Sequence, residues 1–356
     1  MKESKGRAVV VGGSIAGVSA VHALLSAGWE VVVVEKTTAP PTGSSTGAGL
    51  GLDPLAQTII NSWLPHQQSD HLLNIHTLAL TIDQVFISAI VSPRFQLTSL
   101  IQFTTSGYIL WGHVFQSFCV SDDNKSVKVQ TKVLQTGDIV EVAGTQATVL
   151  GEGLDLSDDE NSDVFAGLQK VYQDLGKCLY FDLGSGTHAV FYELLNRKIN
   201  WICMIKKMQE EAEKTWVPEL VRVIKATKEP FLNVIYDCDP FRQIVWDHVV
   251  LIGDAAHPTT PHGLRSTNMS ILDAAVLGQC LMKFGIENLA VGLEEYQSVR
   301  LPVTSKQVLH SRKMGRMKQG LVLADGQVFD PKTATPQECQ DLQQKRMPGF
   351  NDLTRG

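Results

Sequence analysis

Apolar residues gather in three short runs that no polar side chain interrupts. The first, Ala8-Val9-Val10-Val11, has the character of a strand buried on both faces of a parallel sheet. Residues 14–27 follow, rich in Ala, Val and Leu with small residues on one side, and this predicts a helix with Gly28 just past its end. Val31 to Val34, set between Glu30 and Glu35, form the second run and predict a second buried strand. Strand, helix and strand within about thirty residues make a βαβ unit, whose crossover is right-handed. The third run, residues 249–252, predicts another buried strand, followed by a helix over 266–283.

Between these ends the pattern is mixed. Residues 53–75 read as helical in part. Strand-like pieces fall at 126–134, 138–142, 179–183 and 188–194. Residues 201–205 read as a strand running directly into a helical stretch at 206–215. Six acids crowd residues 152–163, which predicts a solvated loop. Residues 300–318 carry six Lys or Arg and no acid, and are expected to form a solvated terminal helix.

Composition narrows the function classes. At 356 residues, 44% hydrophobic and 19% charged, the chain can bury two joined domains. A net charge of −6 supplies no basic footprint for nucleic acid. No run has the apolar length of a membrane span, and the opening residues are polar up to Arg7, unlike a signal peptide. The six cysteines, at 119, 178, 203, 238, 280 and 339, contain no C-x-x-C pair. His66, His71 and His76 are spaced so that a helix would turn them apart. A cytoplasmic, metal-free protein is the expectation.

Chemistry enters at the glycine turn. Gly12-Gly13-Ser14-Ile15-Ala16-Gly17 lies between the first strand and the first helix, where a dinucleotide motif has glycine at its first, third and sixth positions. Gly12 allows the tight turn and Gly17 lets helix pack on strand. Ser14, in place of the middle glycine, is small enough to admit a pyrophosphate at the helix start and can donate to it. Glu35, with Lys36 after it, ends the second strand, where a carboxylate accepts from both hydroxyls of an adenosine ribose and repels a 2′-phosphate. FAD or NAD is therefore favoured over NADP at this site.

The stretch Leu251-Ile252-Gly253-Asp254-Ala255-Ala256-His257-Pro258 resembles the second FAD fingerprint of the group A flavin monooxygenases, the family of para-hydroxybenzoate, salicylate and hydroxynicotinate hydroxylases and of zeaxanthin-epoxidase-like plant proteins. The likeness runs on through Thr259-Thr260-Pro261-His262-Gly263-Leu264-Arg265-Ser266-Thr267-Asn268 to Ile271-Leu272-Asp273-Ala274. Gly47-Ala48-Gly49-Leu50-Gly51-Leu52 is similar to the family's glycine loop after the second strand.

This resemblance implies an α/β fold: an FAD/NAD(P)-binding Rossmann-like domain with an inserted α+β substrate domain, as in para-hydroxybenzoate hydroxylase. It divides the chain into a discontinuous FAD-binding domain (1–75 and 240–300), a partly truncated substrate-binding middle (76–239) and a C-terminal helical tail (301–356). Asp254 takes the role of binding a ribityl hydroxyl of FAD. Pro261 and Gly263 belong to the loop passing the flavin ring, Gly49 to the loop beside it, and Ser266, Thr267 and Asn268 to the helix start facing its pyrimidine end. The histidine of the Gly-Asp-Ala-Ala-His run, His257, is structural in that family, and His262 is the one nearer the ring face. Arg265, which replaces part of the family's glycine loop, either brings a positive charge to the ring or points to water.

The implied activity uses FAD, NAD(P)H as electron donor and O2 to hydroxylate or epoxidise a small aromatic or alkene substrate. A reductase or dehydrogenase on the same fold, and a non-catalytic remnant, stay open beside it. The family's mid-chain strand ending in Ala-Asp-Gly is replaced by Thr145-Gln146-Ala147-Thr148-Val149-Leu150-Gly151-Glu152-Gly153, with Glu152-Gly153 as a displaced substitute. Its arginine-bearing helix has only Arg94, after Pro93, to offer. Gly43-Ser44-Ser45-Thr46-Gly47 matches the spacing of a nucleophile elbow, but lacks the strand before it and the helix after it.

Overall fold

The computed structural model describes residues 6–38, 50–63, 77–82, 85–90, 109–120, 126–144, 146–149, 162–172, 180–184, 187–193, 199–204, 217–226, 238–263 and 265–329. In chain order these form β1 (Arg7–Val11), α1 (Ile15–Ser26), β2 (Glu30–Glu35), β3 (Leu50–Leu52), α2 (Pro54–Trp63), β4 (Thr77–Ile82), β5 (Val85–Ile90), β6 (Ile109–Trp111), β7 (His113–Val120), β8 (Val127–Val133), β9 (Ile139–Gly144) and β10 (Gln146–Val149). They continue with α3 (Ser162–Val171), β11 (Tyr180–Gly184), β12 (Thr187–Glu193), β13 (Ile199–Met204), α4 (Pro218–Ala226), β14 (Val245–Trp246), β15 (Val249–Leu251), α5 (Ser266–Phe284) and α6 (Leu289–Lys318).

The valine runs build the main sheet. Its order is β14-β15-β10-β1-β2-β6, with every neighbouring pair parallel except β14 on β15. Alternation of side chains then loads both faces. Val10, Val31 and Val33 point into a core with Ala20 and Leu24 of α1 and Leu277 and Leu281 of α5. Val9, Val11 and Val34 face the other way, onto Val127 and Val129 of β8. That strand alternates buried and exposed positions, so the β7-β8-β9 sheet shows one face to the valines and the other to solvent. The remaining sheets, β3-β5-β4 and β11-β12-β13, are antiparallel.

Helix α1 meets α5 at Gly278, where a methyl group would lie 2.8 Å from Ala23 Cβ and 2.9 Å from its carbonyl oxygen, so the backbones approach closely. Helix α6 closes the layer. Tyr296 donates to the Leu251 carbonyl at 3.0 Å, and Gln297 Oε1 accepts from the Ile244 and Val245 amides.

Two expectations change. Residues 300–318 do not form a solvated helix: they belong to the thirty-residue α6, in which Arg300, Thr304, Gln307, Ser311 and Lys318 are all buried. The main sheet also takes β6 and β10 from within 76–239, so the nucleotide layer is not confined to the two chain ends. The stretch containing the mid-chain motif does supply a strand, β10, between β1 and β15. Residues 150–153 after it, the acidic run at 152–163, the helix expected at 206–215, Arg94 and residues 39–49 lie outside the described residues. No single helix among the described residues is long and apolar enough to cross a membrane.

Candidate functional site

Because β15, β10, β1 and β2 are parallel, their C-terminal ends share one edge of the sheet, the place where ligands sit in open α/β folds. The glycine turn is at that edge. Gly12 has φ +95°, a conformation L side chains avoid, and donates to the Val34 carbonyl at 2.8 Å. The Gly13 amide donates to Glu35 Oε2 at 2.6 Å, and the Thr37 amide to Oε1 at 2.8 Å. A methyl at Gly13 would stand 3.1 Å from that carboxylate oxygen. Ser14 precedes α1 in extended conformation, and its hydroxyl makes no capping bond to the helix. Ile15, Ala16 and Gly17 form the first turn, with Ala16 and Gly17 buried. Glu35 is buried, while Lys36 beyond it is exposed.

The second motif is brought to the first by a glycine. Gly253 has φ +60°, and a methyl there would come 2.7 Å from Ala16 Cβ and 3.1 Å from Ser270 Oγ. Asp254 follows in a 3-10 turn and accepts a hydrogen bond from Ser266 Oγ at 2.5 Å. Burial pushes its carboxyl above the ordinary carboxylate range, against the pull of that hydrogen bond and of His257. Thr267 is half-buried beside Ser266. Asn268 Oδ1 accepts the Asp53 amide at 3.0 Å, while Asp53 Oδ1 accepts the Ala56 amide at 2.8 Å and so caps α2.

Arg265 does not point to water: its guanidinium is largely buried and lies 3.5 Å from Asp53 Oδ2. Burial lowers its pKa and Asp53 opposes that change. Asp53 was missed in the sequence, although an aspartate just before a proline at a helix start is a capping signal.

Behind the second motif sits a buried charge cluster. Asp273 Oδ2 accepts from the Gly253 amide at 2.8 Å and meets His257 Nε2 at 2.6 Å; Oδ1 accepts from Arg300 Nε at 2.7 Å. Burial alone would raise the Asp273 carboxyl, yet His257 and Arg300 together hold it below its ordinary value. His257 is therefore a structural partner of the fingerprint loop. His262 is buried as well, packed where a methyl at Gly315 of α6 would be 2.8 Å from its Nδ1. Pro261 and Gly263 bound a 3-10 turn whose Gly263 is pressed against Gln307 and Ser311. Gly49 lies outside the described residues, as do Gly43 to Gly47; Leu50 to Leu52 form β3. Among the described residues no group of three His, Cys, Asp or Glu is placed to hold a metal ion.

These residues fit FAD. A Cβ at Gly13 would crowd Glu35, and the turn is tied to that buried carboxylate at the end of β2. A second carboxyl, Asp254, waits at the start of a nineteen-residue helix on the same edge.

No protein-family model matches the chain. It is 32% identical over 106 residues to 6-hydroxynicotinate 3-monooxygenase of Pseudomonas fluorescens, covering 30% of this chain and 28% of that protein. It is 30% identical over 186 residues to 3-amino-4-hydroxybenzoate 2-monooxygenase of Streptomyces cremeus, covering 49% and 43%. The matches thus span less than half the length of these relatives. In fold it is similar to Klebsiella pneumoniae HpxO complexed with FAD and uric acid, with TM-score 0.70, 16% identity and 95% and 92% of the two chains covered. A salicylate hydroxylase substrate complex superposes with TM-score 0.68 at 17% identity, over 100% and 96%. Over part of its sequence the chain is similar to flavin-type aromatic monooxygenases, and over nearly its whole length it shares the α/β fold of these solved structures.

Proposed function

We propose that this chain is an FAD-dependent monooxygenase that uses NAD(P)H and O2 to hydroxylate a small aromatic substrate. The observation that carries this reading is the placement of Glu35 and Asp254, 219 residues apart in sequence, at one sheet edge across the Gly253–Ala16 contact. Glu35 accepts from the adenosine ribose hydroxyls. The Gly12 and Gly13 amides are given to Val34 and Glu35, which leaves the Ser14 amide and the start of α1 for the pyrophosphate, where the helix dipole favours negative charge. Asp254, whose Oδ1 accepts from Ser266, would accept from a ribityl hydroxyl. Ser266, Thr267 and Asn268 present the start of α5 to the pyrimidine end of the ring, where an oriented helix stabilises charge gained on reduction. Bound FAD would supply the redox chemistry by which NAD(P)H and O2 oxygenate the substrate, one oxygen atom ending in the product and the other in water. The chain holds the cofactor and keeps water from it.

The absorbance spectrum of the purified protein tests the first half of this proposal. Oxidised-flavin bands at about one FAD per chain, retained or restored on adding FAD, are the expected result. NAD(P)H consumption is then followed with aromatic acids present, and the oxygenated product is counted. A colourless chain that takes up no FAD overturns the proposal. NAD(P)H oxidation with no oxygenated product makes the protein a reductase on the same fold.

A further inference from the structure

Helix α6 turns a polar stripe, not an apolar one, toward the loop at the cofactor side. Thr304, Gln307, Ser311 and Lys318 are 2%, 1%, 1% and 2% exposed, and with Gly315 they recur at three- and four-residue steps along one helix face. Residues 260–263 lie against that face. Thr260 Oγ1 donates to the Ser311 carbonyl at 3.1 Å, and Lys318 Nζ donates to the His262 carbonyl at 3.2 Å. Gly263 leaves room for two side chains: a methyl there would overlap Ser311 Oγ and come 2.9 Å from Gln307 Nε2. Ser311 Oγ and both polar atoms of the Gln307 side chain are buried with no hydrogen-bond partner among the described residues.

A buried amide and hydroxyl without partners destabilise a fold, and a helix face serving packing alone would carry apolar residues at both positions. The same turn leads, two residues after Gly263, to Arg265 and the start of α5. Resting on the FAD reading above, we propose that Gln307, Ser311 and Lys318 are positioning residues for the cofactor. They fix the backbone of residues 260–263, and Gln307 and Ser311 supply that turn with hydrogen bonds in the cofactor-loaded protein. Helix α6 is then part of the binding machinery without touching the cofactor.

The test compares FAD affinity with the stability of the FAD-free protein in Gln307→Met and Ser311→Ala, which keep side-chain bulk but remove the polar atoms. Each is expected to leave the FAD-free melting temperature unchanged or raised. Each should weaken the FAD dissociation constant roughly tenfold, measured by flavin fluorescence quenching. The long-wavelength absorption band of bound FAD should change shape in both. Lys318→Met should weaken FAD binding similarly, and Lys318→Arg, which still donates, should restore most of it. Leu309→Ala, on the exposed face of α6, should bind FAD as wild type does.

Wild-type affinity and spectrum in Gln307→Met and Ser311→Ala would overturn this inference and leave the FAD reading standing. A lowered FAD-free melting temperature in both would also overturn it, because the two residues would then be structural. A wild-type chain that takes up no FAD overturns both proposals at once.

Discussion

Helix α5 packs against both α1 and α6, yet its two neighbours are buried by different chemistry. The buried side of α1 is mostly small and apolar, with Ala16, Val18, Ala20, Val21, Ala23 and Leu24 beside Ser19 and His22, and its meeting with α5 is a close backbone approach at Gly278. The buried side of α6 includes Leu293, Tyr296 and Val303, but it also takes in Arg300, Thr304, Gln307, Ser311 and Lys318. One seam is held by dispersion and loss of apolar surface, which falls off steeply when a methyl is added where none fits. At the other, the buried Arg300–Asp273 pair joins the two helices, and removing one partner strands the rest. Two helices against the same third helix should therefore fail in different ways.

The largest effect is expected at Asp273, the centre of the polar seam. Asp273→Ala strips the partner from Arg300, His257 and the Gly253 amide at once, and Arg300 Nη1 already has no hydrogen-bond partner among the described residues. Leaving a buried charge uncompensated costs about 3–5 kcal/mol, enough to unfold a marginal chain at room temperature. Urea denaturation of the variant measures it, and a loss below about 1 kcal/mol would mean the cluster is not desolvated as its burial implies.

On the apolar seam the corresponding break is Gly278→Ala. Its methyl would sit against Ala23 side chain and backbone, neither of which can rotate away, and overpacking of that kind costs about 1–3 kcal/mol. The loss should appear in the same denaturation experiment. Because the contact lies away from Glu35 and Asp254, FAD affinity per folded molecule should change far less than stability.

The same contrast decides how much was legible in the sequence. Unbroken valines at 31–34 and the Gly12 turn announced β1, α1 and β2 almost to the residue, because a strand buried on both faces has nothing to hide. Glu35 was visible because an acid ends such a run, whereas Asp254 was singled out through the resemblance of residues 251–258 to a family fingerprint. Residues 300–318 misled because six basic residues without an acid look like a wetted surface, and Arg300 and Lys318 are in fact buried on partners 27 and 56 positions away. No local pattern encodes a partner at that distance. Arg265 shows the limit more sharply, since its charge was evident but its choice of Asp53 depends on how α2 is set against α5.

Acidity offers a finer comparison, because Asp254 and Asp273 shift in opposite directions. Asp273 is lowered from 3.8, so its contribution to stability is complete above that value and is lost as pH falls below it through the folded pKa. Asp254 is raised from 3.8 by burial, so the folded chain binds that proton more readily than the unfolded one. Its contribution is complete below 3.8 and is lost as pH rises through the folded value. In Asp254→Asn the second term disappears. The stability of wild type minus variant should therefore climb as pH falls from neutral toward 3.8 and level off below it, measured by urea titration at each pH. A difference independent of pH would show that Asp254 titrates alike in folded and unfolded chains.

The smallest effect belongs to Arg312, twelve residues along the same helix from Arg300 and bearing the same charge. Its Nη1 lies 2.8 Å from Asp239 Oδ1, nearly the separation of Arg300 from Asp273, so distance does not distinguish the two pairs. Exposure does: the Arg300–Asp273 side chains are 0% exposed, while those of Arg312 and Asp239 are 32% and 89% exposed. Water screens the outer pair and solvates either partner when the other is removed, so a pair of this kind contributes about 0–1 kcal/mol. Arg312→Ala should therefore melt within that margin of wild type, and what difference there is should vanish in high salt. Arg300→Ala should cost several times more and be indifferent to salt. If the two arginines lost similar stability, α6 would be held by its charges wherever they lie, and the division between a solvated and a buried face of this helix would fall.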